Sequence, residues 1–210
     1  MVSKRRNRDR RAARPSPWRN PKPMILCVCE GRVTEPEYLR GFTTLHRNPR
    51  VQVVIDGGEG VPRTLVEKAK QRKKEAEADA RRQRDDNLAF DEVWCVHDVD
   101  DHLKLDEVRV MARDNGIKLA VSNPSFELWL ILHFRDNPGP QHRDRMATIL
   151  KNFMPGYDKH VDFNSVAHGC GDAVTRARRL DEMADDDGES GRNPTTGVWR
   201  LTESIRGDGD

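Results

Sequence analysis

Carboxylates gather at three places in this sequence. Glu30 and Glu35 stand in CEGRVTEPEYL (29–39), Asp98, Asp100 and Asp101 in VWCVHDVDDH (93–102), and Glu127 in SNPSFELWLILHF (122–134). Glu30 and Asp98 each follow directly on an apolar run. Gathered carboxylates repel one another, and a bound divalent cation is the usual relief. A donor set made only of oxygen favours Mg²⁺ or Mn²⁺ over zinc. One or two such ions could polarise a phosphodiester, activate a water and stabilise the leaving oxygen. In an extended backbone Asp98 and Asp100 point to one side, since they lie two apart, and Asp101 points to the other. A second reading stays open: Asp100 or Asp101 caps a helix beginning at HLKLDEV. Read alone, the stretch favours the cap. Glu30 adds weight to the cation reading, because packing does not need a glutamate between a buried strand and a glycine.

Other polar residues near these runs have plainer uses. Asn123 or Ser125 suits a helix N-cap. Glu127 heads a very apolar helix, where it either faces the other acids or complements the positive helix end. His133 lies six residues further on, off that face, and suits a backbone or core polar partner. His102 borders the aspartates and could touch a phosphate. Trp94, Phe126 and Trp129 read as core.

The elements that must position these groups follow from the pattern. MILCVC (24–29), VQVVID (51–56), VWCVHD (93–98) and IKLAVSN (117–123) are short apolar runs, as in strands covered on both faces. Between them, Thr34 as N-cap and Pro36 in the first turn open a helix, and a long charged helix spans about 62–84 with few apolar residues. Further helices are expected near 104–114, 125–134, 142–152 and 171–184, and TTGVWRLTESI reads as a last helix docking back. Strands alternating with helices predict a parallel sheet flanked by helices. In such sheets function collects at the carboxyl ends of strands, which is where Glu30 and Asp98 stand.

Composition bounds the partners. Of 210 residues, 35% are hydrophobic and 34% charged, which means a lean core under a charged surface. No apolar run approaches the roughly 20 residues that cross a bilayer, and the basic N-terminus lacks the apolar segment of a secretory signal. Cys27, Cys29 and Cys95 lie in strand-like runs and read as reduced, buried thiols of a cytoplasmic protein. Cys27 and Cys29 have no second Cys/His pair at zinc-site spacing. Residues 1–22 carry nine basic residues, Arg5, Arg6, Arg8, Arg10 and Arg11 among them, against Asp9 alone. That is a net +8 in a chain of net +2, so residues 23–210 carry −6. A basic, disordered arm on an acidic body suits phosphate backbones. The expected organisation is a tail over 1–23, one domain over 24–205 and a loose end over 206–210.

Glu30-Gly31 after the first strand, with Asp98-x-Asp100 after the third, resembles the Toprim arrangement of topoisomerases, primases and OLD-type nucleases. CEGRVTEPEYL, VWCVHDVDDH and SNPSFELWLILHF together, in this order, resemble the RloB-like family over about 24–205. That resemblance implies a Toprim-like fold and a link with restriction and abortive-infection loci. It implies Glu30 as metal ligand or general acid/base and Asp98 and Asp100 as metal ligands. Glu127 matches the family's Asn-Pro-x-Phe-Glu-x-Trp pattern and becomes a second catalytic candidate. Glu35 resembles the second glutamate of OLD-type nucleases, although it lies five residues after Glu30 where four is more usual.

The leading expectation is a Mg²⁺- or Mn²⁺-dependent nuclease acting on DNA or RNA in phage defence. No tyrosine is placed as a topoisomerase nucleophile. The resemblance implies an AAA-type ATPase partner, and the chain carries no Gly-x-x-x-x-Gly-Lys-Ser/Thr loop of its own. Two alternatives stand beside it: a non-catalytic subunit that binds nucleic acid or the ATPase, and a nucleotidyl transferase.

Overall fold

The computed structural model describes residues 22–55, 62–99 and 105–207. The basic tail with Arg5, Arg6, Arg8, Arg10 and Arg11, and also Asp100, Asp101 and His102, lie outside the described residues.

Five strands, β1 (Ile25–Cys29), β2 (Val51–Ile55), β3 (Glu92–Asp98), β4 (Lys118–Asn123) and β5 (Thr195–Thr196), form one sheet in the order β2-β1-β3-β4-β5. β1 to β4 are parallel, as the strand–helix alternation predicts, and β5 pairs antiparallel with β4. The chain steps from β1 to β2 on one side, then returns past β1 to β3 on the other. The strand order therefore reverses between β1 and β3, and the crevice at such a switch point is where α/β sheets bind ligands.

Both faces of the sheet are covered, which explains the unbroken apolar runs. Ile25, Cys27, Cys29, Trp94, Val96 and Ala120 face the larger core. It is closed by α1 (Thr34–Leu45), α4 (Glu127–Ile131), α5 (Arg143–Leu150), α6 (Phe163–Val166), α7 (Cys170–Asp186) and α8 (Val198–Arg206). Leu26, Val28, Val93 and Cys95 alternate with them onto a smaller core under α2 (Pro62–Gln83) and α3 (Leu105–Asp114). The charged helix α2 is thus attached by one narrow stripe, Leu65, Val66 and Ala69, with Ala80 further along. Spacings of three and four residues keep such a stripe on one face. Cys27, Cys29 and Cys95 are buried free thiols, and burial pushes the Cys27 and Cys29 thiols far up.

Several local expectations shift. Thr34 is the first residue of α1 and not its cap; its hydroxyl donates to Lys159 O at 2.8 Å instead. Neither Asn123 nor Ser125 caps α4: Asn123 Nδ2 donates to Gly191 O, and Ser125 Oγ to Glu127 Oε2. α4 is five residues long, with turns running on to Phe134, and all five of its residues are buried. Thr195–Thr196 leaves the expected last helix to add a strand to β4, with Ser122 Oγ and Thr196 Oγ1 2.9 Å apart. α8 follows with Val198, Leu201, Thr202 and Ile205 inward, so the segment does dock back.

Candidate functional site

β1 and β3 are neighbours, and the Glu30 amide extends their ladder by donating to Val96 O at 3.0 Å. This register carries Glu30 and Asp98 to the same end of the sheet. There they line one open pocket of about 330 Å³ together with Gly31, Thr34, Glu35, Phe126 and Glu127, and with Arg32, Arg143 and Lys159. The four described acids expected at the site are therefore brought together from three parts of the chain.

Their environments differ. Asp98 is pushed well above the usual carboxylate range, first by burial and then by the charges of Glu35, Glu127 and Glu30; Arg143 offsets this in part. Arg143 Nη2 stands 3.8 Å from Asp98 Oδ2, and the buried Asp98 Oδ1 has no hydrogen-bond partner. Glu35, 7% exposed, is also raised, chiefly by burial and against the hydrogen bond from its own amide. Its carboxylate lies over residue 31, where a β-carbon would come within 1.9 Å of Oε2, so glycine there leaves the space that Glu35 fills.

Glu127 is compensated. Burial raises its pKa, but hydrogen bonds from Lys159 and Ser125 outweigh burial and hold it below its ordinary value. Oε1 accepts from Lys159 Nζ at 2.8 Å and Tyr157 Oη at 2.9 Å, and Oε2 accepts from Ser125 Oγ at 2.6 Å. Three donors around one ionised carboxylate make a well-satisfied buried charge. His133 takes the core role expected of it, with Nδ1 2.9 Å from Trp129 O and Nε2 3.1 Å from the Tyr38 hydroxyl. Tyr38 is wholly buried, as its helix pattern predicts.

Sequence reasoning missed Arg143, Tyr157 and Lys159. Tyr157 and Lys159 come from a stretch without periodicity, 30 and 32 residues beyond the glutamate they contact. Thr34, in the motif around Glu30, meets the Tyr157 hydroxyl at 3.4 Å from 123 residues away. Ser125 was visible as the residue two before Glu127, but its spacing suggested a cap.

Whether the acids suit a cation can be tested on Asp98. A buried carboxylate oxygen with no donor, among carboxylates that raise its pKa, fits a hard divalent cation, and an all-oxygen set fits Mg²⁺ or Mn²⁺. Among the described residues, no three His, Cys, Asp or Glu side chains stand close enough together to hold a metal ion as placed. Asp100, expected as a further ligand, is outside them. Also among the described residues, no helix is long and apolar enough to cross a membrane.

Comparisons with curated proteins and with solved structures return no match. The model of the family described as RloB-like protein matches residues 25–205, from the first residue of β1 to the last turn of α8. That span holds the five described strands and the acids that line the pocket, and the chain belongs to the RloB-like family.

Proposed function

We propose that the chain is a divalent-metal-dependent, Toprim-like phosphodiesterase that cleaves DNA or RNA. The observation that carries this reading is the meeting of Glu30, Glu35 and Asp98 at the β1/β3 switch point, in one pocket with Arg32, Arg143 and Lys159. Glu30, Asp98 and Asp100 are the residues to hold Mg²⁺ or Mn²⁺, with Glu35 beside them. When bound, such an ion polarises the phosphodiester and lowers the pKa of an attacking water.

The chain's own groups have distinct tasks. Glu35, with its raised pKa, is suited to carry a proton to or from a reacting oxygen. Glu127 stays ionised and holds the Lys159 ammonium and the Tyr157 hydroxyl at the pocket, which makes it a positioning residue in this reading. The basic arm carrying Arg5, Arg6, Arg8, Arg10 and Arg11, with His102 near the aspartates, adds sequence-independent attraction to the phosphate backbone. A cytoplasmic defence role beside an AAA-type ATPase follows from the family resemblance.

Purified full-length protein incubated with Mg²⁺ or Mn²⁺ and with linear, nicked and single-stranded substrates tests the reading. Cleavage is expected with metal and lost in the Asp98→Ala, Asp100→Ala double variant. Cleavage that survives in that variant would remove the assignment.

A further inference from the structure

Building on the phosphodiesterase reading, we infer that Arg143 and Lys159 form a phosphate-binding arm of this pocket, gripping the nucleic-acid backbone beside the carboxylates. The lining first suggests it. Four carboxylates, Glu30, Glu35, Asp98 and Glu127, face three cations, Arg32, Arg143 and Lys159. A site for a cation alone needs only the acids, and a site for a phosphate alone needs only the bases. The mixed set matches a cation and a phosphodiester bound together.

Lys159 is held in place for such a role. Its φ of 84° lies in the left-handed region, which long side chains rarely adopt. The surrounding loop is pinned to α1 along its length. Thr34 Oγ1 donates to Lys159 O at 2.8 Å, Glu37 Oε1 lies 2.8 Å from His160 Nδ1, and Val161 N donates to Glu37 Oε2 at 2.8 Å. Backbone conformations kept against their cost in this way concentrate at ligand clamps. The side chain is tethered to Glu127 yet 65% exposed, so a ligand can reach the ammonium.

Arg143 reaches the pocket beside Asp98, with its side chain partly exposed. At 3.8 Å it is beyond hydrogen-bond length from Asp98 Oδ2, while Asp98 Oδ1 is buried without a partner. The protein alone thus leaves Asp98 incompletely met. Asp98 would be neutralised in part by a bound cation, and the planar Arg143 guanidinium at the same pocket fits phosphate oxygens in a bidentate way.

Binding measurements on the full-length chain test this without relying on turnover. The probes are short labelled single-stranded DNA and RNA, with Ca²⁺ in place of Mg²⁺, followed by fluorescence anisotropy over a salt series. Arg143→Gln and Lys159→Gln should each lower the slope of log K against log salt by about 0.7, the value for one lost single-strand contact. Affinity should fall by about tenfold at moderate salt. Arg143→Lys and Lys159→Arg should keep most of both, and melting curves check that all four variants fold. The two probes show whether the arm accepts DNA, RNA or both. Unchanged slopes in both Gln variants, or no binding of either probe by the wild type, overturn the inference. If Asp98→Asn abolishes cleavage while these slopes stay unchanged, the hydrolase reading stands and the arm falls. If the slopes drop as expected but the wild type never cleaves, the reverse holds.

Discussion

Asp98 at the end of β3 and Glu127 at the head of α4 face one pocket from two differently built regions. At the end of β3, Asp98 is short of a partner: Oδ1 is buried without a donor, and burial raises the Asp98 carboxyl, as it does that of Glu35 on α1. The shell formed by α4 and the loop through Tyr157 and Lys159 is saturated: Glu127 accepts from three side chains and its pKa is lowered. Asp98, the last residue of β3, thus keeps its frustration, and Glu127, on α4, loses it. Natural sequences break local consistency mainly where they do chemistry. In the proposed phosphodiesterase, Asp98 at the end of β3 would stand on the reacting side and the shell would support it.

Breaking the shell should have the largest effect on stability. Glu127→Ala leaves the Tyr157 and Ser125 hydroxyls and the Lys159 ammonium without their acceptor. The expected loss is about 3 kcal/mol, at the low end for a buried pair because Lys159 is largely exposed. Urea unfolding of the variant measures it, and a loss below about 1 kcal/mol would mean that the shell does not depend on this carboxylate.

The shell should also respond to acid. Burial lowers the His133 pKa to about 4, with hydrogen bonds to Trp129 O and Leu130 opposing. The folded state therefore resists protonation that the unfolded chain accepts near its ordinary 6.5. The resulting stability is present above 6.5 and is lost as pH falls toward about 4. About 2 kcal/mol should disappear between pH 7 and pH 5, at 1.36 kcal/mol per unit. A His133→Gln variant should show a flatter profile by that amount, whatever its absolute stability.

At the strand ends the sign reverses. Asp98→Asn removes a buried charge that lacks full compensation, so stability should rise by about 1 kcal/mol while metal binding, read by calorimetry, is lost. A destabilised Asn variant would dissolve the contrast with Glu127. The smallest effect belongs to the far face of the sheet. Arg63 and Glu67 on α2 pair at 3.1 Å with both side chains more than half exposed. Arg63→Ala should change unfolding free energy by less than about 0.5 kcal/mol.

Much of the frame could be read locally. Unbroken apolar runs such as ILCVC identify strands covered on both faces, and β1 is buried at all five positions. The alternation of strands and helices fixes the hand and direction of the connections, hence a parallel sheet. Glu30 and Asp98 could be placed at strand ends because each follows its run directly. The local signal failed where two structures shared one pattern. TTGVWRLTESI carries a helical spacing, yet Thr195–Thr196 pairs with β4, with Ser122 and Thr196 in hydroxyl contact across the pair. Asn123 and Ser125 have cap chemistry, yet Asn123 Nδ2 bonds Gly191 O and Ser125 Oγ bonds the Glu127 carboxylate.

By itself, then, the sequence determined which segments are buried and which carboxylates end them, since periodicity and flanking residues report burial directly. Only the tertiary structure decided that β1 lies beside β3, which makes Glu30 and Asp98 neighbours. It alone decided that Thr34 meets Lys159 across 125 residues, and that Arg143 and Lys159 enter the pocket. A polar side chain in an aperiodic stretch carries no trace of its distant partner, because that partner is chosen by how the helices pack on the sheet.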